Sequence, residues 1–330
     1  MTVPITLPKI DRQRNMVVDV TYLCNYSCNY CRWGSAETPG RIHHSLDSIL
    51  AEPGDLEAIG VERVVLSGGE PLLHPHIIEI VKYYSRLVDD VILITNGWLA
   101  DIERVLMLIS EGLTGLAFSI DSIDEAVLVK TRDMTGQQFA RTLTNFEAIC
   151  EARLEGKLEL ELGVNAVISA ENASVKDIVQ LLDWAQSNNL DYVKFNQIFD
   201  DGFAGQHAPN LLLNEEHASQ LNSIAEHLEN NPPTILSNPP IFWRTMAAML
   251  QGARLDGGSC GLGNRQAILF HGRYHFCAWI DEPVLGEIGS TTTATVDAAR
   301  GCFGPASASC KTGPHCHCLQ SIGHEWELLD

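Results

Sequence analysis

The sequence predicts an α/β fold: a partial (β/α)6 TIM-like barrel over residues 1–235, followed by a small cysteine-rich domain over 236–330. Three observations carry this prediction: six strand-like runs alternate with helical ones, prolines break the alternation after residue 230, and six of the ten cysteines fall beyond that break. The strand-like runs are short, apolar and rich in β-formers, at 16–23, 63–67, 91–95, 116–120, 160–168 and 192–197. Amphipathic stretches at 45–59, 76–87, 101–110, 137–155, 175–188 and 214–230 repeat their apolar residues at helical spacing. Strand–helix units in series build a parallel sheet whose active site lies on the loops after the strands, and six units leave a barrel open. At Asn231-Pro232-Pro233 and Asn238-Pro239-Pro240 clustered Pro and Asn stop the preceding helix. One more helix is expected at 242–252. From there to residue 319 the chain is rich in Gly and Cys with little periodicity, and such a segment takes its missing stabilisation from bound metal.

Of 330 residues, 45% are hydrophobic and 19% charged, which suits a folded protein with a substantial core. Acidic residues outnumber basic ones by 42 to 22, and the net charge of −20 repels phosphate backbones and anionic lipid. Neither nucleic acid nor a membrane is therefore expected as a partner. The same field concentrates cationic small molecules, although net charge of this size also serves solubility alone. The first 14 residues lack a signal-peptide pattern and no long apolar run follows, so a cytoplasmic location is expected. Cysteines in a reducing compartment are read first as metal ligands or redox groups.

Directly after the first strand, Cys24, Cys28 and Cys31 form a C-x3-C-x2-C triplet within one loop. Three thiolates this close can wrap one corner of a four-iron cluster, which leaves one iron open to a ligand. Two other readings stand beside it: a zinc knuckle completed by His43 or His44, and three unrelated buried cysteines.

The triplet is followed at the end of the second strand by Ser67-Gly68-Gly69-Glu70-Pro71, and this pairing resembles the radical S-adenosylmethionine (SAM) superfamily. The resemblance spans roughly residues 16–200. It implies a [4Fe-4S] cluster on Cys24, Cys28 and Cys31 whose open iron chelates SAM, with Gly68, Gly69 and Glu70 along the methionine amino group. Two glycines let backbone approach a ligand, and a carboxylate accepts hydrogen bonds from an ammonium. Further matches fall at successive strand ends: Thr95-Asn96-Gly97, Phe118-Ser119-Ile120-Asp121, then Arg132 and Asn165. By resemblance Ser119 and Asn165 contact the ribose or methionine, Asp121 orients that edge and Arg132 lies near the SAM carboxylate. Taken singly, each has a plainer reading: Asn96-Gly97 as a turn, Asp121 as a helix cap, Arg132 as a surface arginine.

The C-terminal cysteines carry a second resemblance. Cys260 is separated by 16 residues from Cys277, which closes a G-x4-C segment starting at Gly272. This looks like the opening of the SPASM or Twitch extension that holds auxiliary iron–sulfur clusters in radical SAM enzymes, the glycine permitting the hairpin. The tail reads Cys302-x7-Cys310-x5-Cys316-His317-Cys318 and departs from the full SPASM pattern, matching only the x5 interval. The preferred set for one auxiliary [4Fe-4S] cluster is Cys260, Cys277, Cys316 and Cys318, with Cys310 as substitute. Two auxiliary clusters would draw on all six tail cysteines and on His315 or His317. Cys302 or Cys310, if not a ligand, is a candidate hydrogen-atom donor. Cys150 reads as a buried small hydrophobe and His74 as a polar loop residue.

The resemblance implies an enzyme that takes one electron from a flavodoxin- or ferredoxin-type donor, splits SAM and abstracts hydrogen from substrate. An auxiliary cluster that accepts an electron makes the net reaction an oxidation; a thiol donor makes it an epimerisation. Only about 20 residues precede the triplet, too few for a leader-peptide-binding domain. With the acidic charge, this points to a cationic small molecule, an amino sugar or aminocyclitol of antibiotic type, modified at a carbinol carbon. The alternatives are a peptide maturase and a non-catalytic iron–sulfur or zinc protein.

Overall fold

The computed structural model describes residues 15–34, 42–198, 203–236, 238–253, 266–276 and 284–302. Six parallel strands run in sequence order across the sheet: β1 (Asn15–Thr21), β2 (Arg63–Gly68), β3 (Asp90–Thr95), β4 (Gly115–Ser119), β5 (Glu161–Ile168) and β6 (Tyr192–Gln197). Each lies within two residues of its expected bounds. Val18, Leu66, Leu93, Leu116 and Leu162 are successive partners across five strands and all are buried to within 1%. Each such side chain contributes about 1.5–3 kcal/mol by leaving water. This face packs on the helices in one continuous core. The alternate residues, among them Asp19, Ser67, Ser119 and Asn165, therefore point to the opposite, inner face of the sheet.

Helices fill the connections: α1 (Leu46–Ile49), α2 (Pro53–Ile59), α3 (Ile77–Tyr84), α4 (Ile102–Ser110), α5 (Glu125–Arg132), α6 (Gly136–Leu154), α7 (Val175–Ser187), α8 (Phe203–His207), α9 (Ala218–Asn230), α10 (Pro240–Leu250) and α11 (Thr293–Cys302). The single helix expected at 45–59 is two, because Pro53 has no N–H to continue the first and instead opens the second. Its interruption is bracketed by Tyr83 and Tyr84, whose hydroxyls donate to the carbonyls of Ala51 and Ile49. The longest helix, α6, starts on a reciprocal capping box between Thr135 and Gln138. Helix α5 was not expected; its sequence EAVLVKTR has a weak apolar stripe, and Asp124 starts it by accepting from Ala126 N at 2.9 Å.

Beyond residue 252, where the sequence shows little periodicity, the described residues nonetheless form regular structure. Strand β7 (Gln266–Phe270) pairs in parallel with β1 and extends the barrel sheet, and β8 (Arg273–His275) and β9 (Val284–Glu287) follow antiparallel. His271 and Gly272 link β7 to β8 with φ of 49° and 76°. Two successive left-handed residues make the tight hairpin, so Gly272 serves the turn for which it was singled out. A buried carboxylate on α2 anchors this extension: Asp55 accepts from Tyr274 Oη at 3.0 Å, Gly289 N at 2.7 Å and Thr291 N at 3.0 Å. Cys260, Cys277, Cys310, Cys316 and Cys318, with His315 and His317, lie outside the described residues, as does the side chain of Cys302.

Replacing Asp55 with Ala leaves three buried donors unpaired. The variant should lose about 3 kcal/mol in urea unfolding.

Candidate active site

The cysteine loop begins where β1 ends, and the end of β2 is laid directly against it. Gly69 N donates to Thr21 O at 2.7 Å and Glu70 N to Leu23 O at 2.8 Å. A Cβ on Gly68 would stand 2.4 Å from Thr21 O, and one on Gly69 would stand 2.2 Å from Leu23 O. Gly68 also has φ of 125°, a region closed to other residues. The glycines thus admit backbone, as expected, but here the backbone admitted is that of the cysteine loop.

Glu70 is fully buried and takes three donors: Leu72 N at 3.0 Å and Thr95 Oγ1 at 2.8 Å on Oε1, and Asn96 N at 2.8 Å on Oε2. Burial pushes its pKa up to about 7, against the pull of those hydrogen bonds. It fastens the end of β2 to the end of β3. Asn96 continues the chain of contacts: its Nδ2 donates to Asn25 Oδ1 at 2.8 Å and lies 3.9 Å from Cys24 Sγ. Asn96-Gly97 is therefore more than a turn.

Arg132, at the end of α5, is buried rather than a surface arginine. Its Nε and Nη2 donate to Asp121 at 2.7 and 2.6 Å, and Nη1 points at Cys28 Sγ at 3.9 Å. Asp121 also accepts from Tyr30 Oη and from Val167 N, both at 2.8 Å, and caps no helix. Burial alone would lower the guanidinium pKa, but the Asp121 carboxylate and neighbouring anionic groups raise it well above its ordinary value. The arginine keeps its charge beside the second cysteine. Tyr30 was not singled out from the sequence, although a tyrosine between two cysteines of a ligand loop is a visible signal.

Ser119 and Asn165 are direct partners across β4 and β5. Asn165 Oδ1 is buried without a hydrogen-bond partner, which an occupied site would supply. His74 lies in the loop between β2 and α3, as expected, and is buried there; Nε2 meets His44 O at 3.0 Å and Nδ1 accepts from His76 N. Cys150 faces the core on α6, as expected.

The donor set fits a thiolate cluster. Cys24 Sγ has Tyr26 N at 3.4 Å and Asn96 Nδ2 beyond it, and Cys28 Sγ has Arg132, so polar hydrogens face both sulfurs and would offset negative charge on them. Burial pushes the thiols of Cys24 and Cys28 up to about 11, and iron bound there would favour their thiolate forms. The two histidines offered for a zinc knuckle are engaged elsewhere. His43 Nδ1 is 3.0 Å from Thr21 Oγ1, and the ring of His44 stands on Tyr22. Replacing Arg132 with Met strands the Asp121 charge; the variant should lose about 3–5 kcal/mol in urea unfolding.

Comparison with known proteins agrees with this geometry. A GTP 3',8-cyclase of Mannheimia succiniciproducens is 24% identical over 81% of this chain and 78% of its own length. An AdoMet-dependent heme synthase of Methanosarcina barkeri is 30% identical over 47% of this chain, a match spanning only 42% of that protein. Among solved structures, native anSMEcpe with bound AdoMet superposes with a TM-score of 0.64 at 15% identity, covering 95% of this chain and 96% of the other. Streptococcus suis SuiB bound to precursor peptide SuiA superposes with a TM-score of 0.61 at 13% identity, covering 88% and 66%. At such identities these two show the shared fold. Residues 18–185, just over half of the chain and including the cysteine loop, match the radical SAM superfamily, and the chain belongs to that family.

Proposed function

We propose that this radical SAM enzyme abstracts hydrogen from a carbinol carbon of a small, positively charged amine such as an aminocyclitol, as an oxidoreductase or epimerase. The observation that carries the catalytic part is the cysteine loop itself, tied by Gly69 and Glu70 to the end of β2 and surrounded by donors to its sulfurs. When bound and reduced, the [4Fe-4S] cluster supplies the electron that splits SAM to methionine and a 5'-deoxyadenosyl radical. Cys24, Cys28 and Cys31 would hold that cluster. Ser119 and Asn165 offer adjacent polar groups for SAM on the inner face, and Gly68, Gly69, Glu70 and Asn96 shape the strand ends beside it. Arg132, with two of its three nitrogens on Asp121, presents Nη1 toward the cluster side. The protein's task is to hold the target hydrogen close and to exclude competing donors.

Radical SAM enzymes act on small molecules or peptides and need an electron donor; a flavodoxin or ferredoxin in the cytoplasm would serve here. The net charge of −20 favours a cationic substrate and disfavours a nucleoside triphosphate. We assign residues 236–330 to a Twitch-like unit with one auxiliary cluster, supported by the β7–β8 hairpin that precedes Cys277. A peptide substrate is the second reading, favoured by the likeness in fold to SuiB, solved with its precursor peptide.

Anaerobic reconstitution with iron and sulfide, followed by incubation with reductant, SAM and an aminoglycoside panel, tests this reading. About eight irons per chain and 5'-deoxyadenosine formation stimulated by an aminocyclitol are expected; stimulation only by peptide would favour the second reading. Cys28→Ala should abolish SAM cleavage while about four irons remain. Cys316→Ala should keep basal cleavage and lose product; iron content and turnover equal to wild type would exclude Cys316 as a ligand.

A further inference from the structure

Three buried carboxylates of this protein are saturated with donors. Asp55 takes three, Glu70 three, and Asp121 four counting both arginine nitrogens. This is the ordinary condition of a buried anion, because an unpaired one is expensive. Asp19, by contrast, is a partly exposed carboxylate that holds no such set of donors. It lies on β1, two residues before the cysteine loop begins, with Ser67 of β2 as its cross-strand partner. Its neighbours Val18 and Val20 point into the helix-facing core, so its own side chain points to the inner face that also carries Ser119 and Asn165. Among the described residues its carboxylate has neither a hydrogen-bond nor an ion-pair partner. Desolvation pushes its pKa up to about 6.

We propose that Asp19 is a substrate-binding residue: its carboxylate, on the inner face of β1, receives a protonated amine of the substrate. The inference rests on the cationic-amine reading above and assigns it a residue. The surroundings suit an ammonium. The Tyr22 phenol feels the Asp19 charge, and its ring packs on Trp33 with centroids 4.3 Å apart. Tyr22 Oη in turn lies 3.5 Å from Nε2 of His271, at the apex of the β7–β8 hairpin. A carboxylate without a partner on the inner face gives a cation a charge-assisted hydrogen bond. A polar group left unpaired in the free protein and paired in the complex also gives selectivity, since a neutral analogue leaves it unsatisfied.

The test uses full-length, anaerobically reconstituted protein as wild type, Asp19→Asn and Asp19→Ser. Binding of 2-deoxystreptamine, an aminocyclitol, and of myo-inositol, its uncharged counterpart, is measured by calorimetry in the presence of SAM. The expected result is diamine binding weakened by about 10- to 150-fold in both variants, with inositol binding, weak in wild type, unchanged. Without ligand, both variants should unfold at equal or higher urea concentration than wild type, because each removes a carboxylate that has no partner among the described residues. A destabilised variant would mark Asp19 as structural and overturn the proposal. So would diamine affinity unchanged in both variants, or a wild type that does not prefer the diamine to inositol. SAM cleavage by the reduced wild type is followed separately: its loss would overturn the radical reading, whereas its presence with any of those results would overturn the role of Asp19 alone.

Discussion

The close approach of β2 to the loop that follows β1 is the constraint on which the rest of the site depends. Two backbone hydrogen bonds, Gly69 N to Thr21 O and Glu70 N to Leu23 O, set where the cysteines stand relative to the sheet. No side chain fits at either glycine, so the contact fixes their identity. Glu70 passes the constraint to β3 through Thr95 and Asn96, and Asn96 returns it to the loop at Asn25. The strand ends and the cysteine loop thus form one hydrogen-bonded unit, which would keep a bound cluster and SAM in fixed relation.

On the other side of the loop, Tyr30 and Arg132 converge on Asp121, and Arg132 carries its charge to Cys28. If Cys28 holds a cluster, a cation beside its sulfur would stabilise extra negative charge there, one of the levers by which a protein sets a cluster's potential. The same pair closes the gap between β4, α5 and the loop. Position and electrostatics are here supplied by one set of atoms.

Much of this was legible in the sequence, for identifiable reasons. The six parallel strands are buried on their helix-facing side, so their apolar runs stood out, and the cysteine and glycine motifs are local. Other features required distance. Arg132 and Asp121 are 11 residues apart, and Tyr30 meets them from 91 residues away, so only folding shows that they share one network. Helix α5 was missed because its apolar stripe is weak, and the single helix over 45–59 was overextended across Pro53. The β7–β9 extension hid in a stretch whose glycines and short strands give little periodicity, although Gly272 marked its turn. Asp19 was invisible for a different reason: alternation in a strand tells which way a residue points, but not that its carboxylate lacks a partner.

The decisive measurement is electron–nuclear double resonance on the reduced, reconstituted protein mixed with SAM labelled with 15N at the methionine amino group. If Cys24, Cys28 and Cys31 hold a cluster with one iron open to SAM, the spectrum will show hyperfine coupling to that nitrogen, and Cys28→Ala will abolish it. A spectrum identical with and without labelled SAM would mean that the cysteine loop holds no SAM-binding cluster.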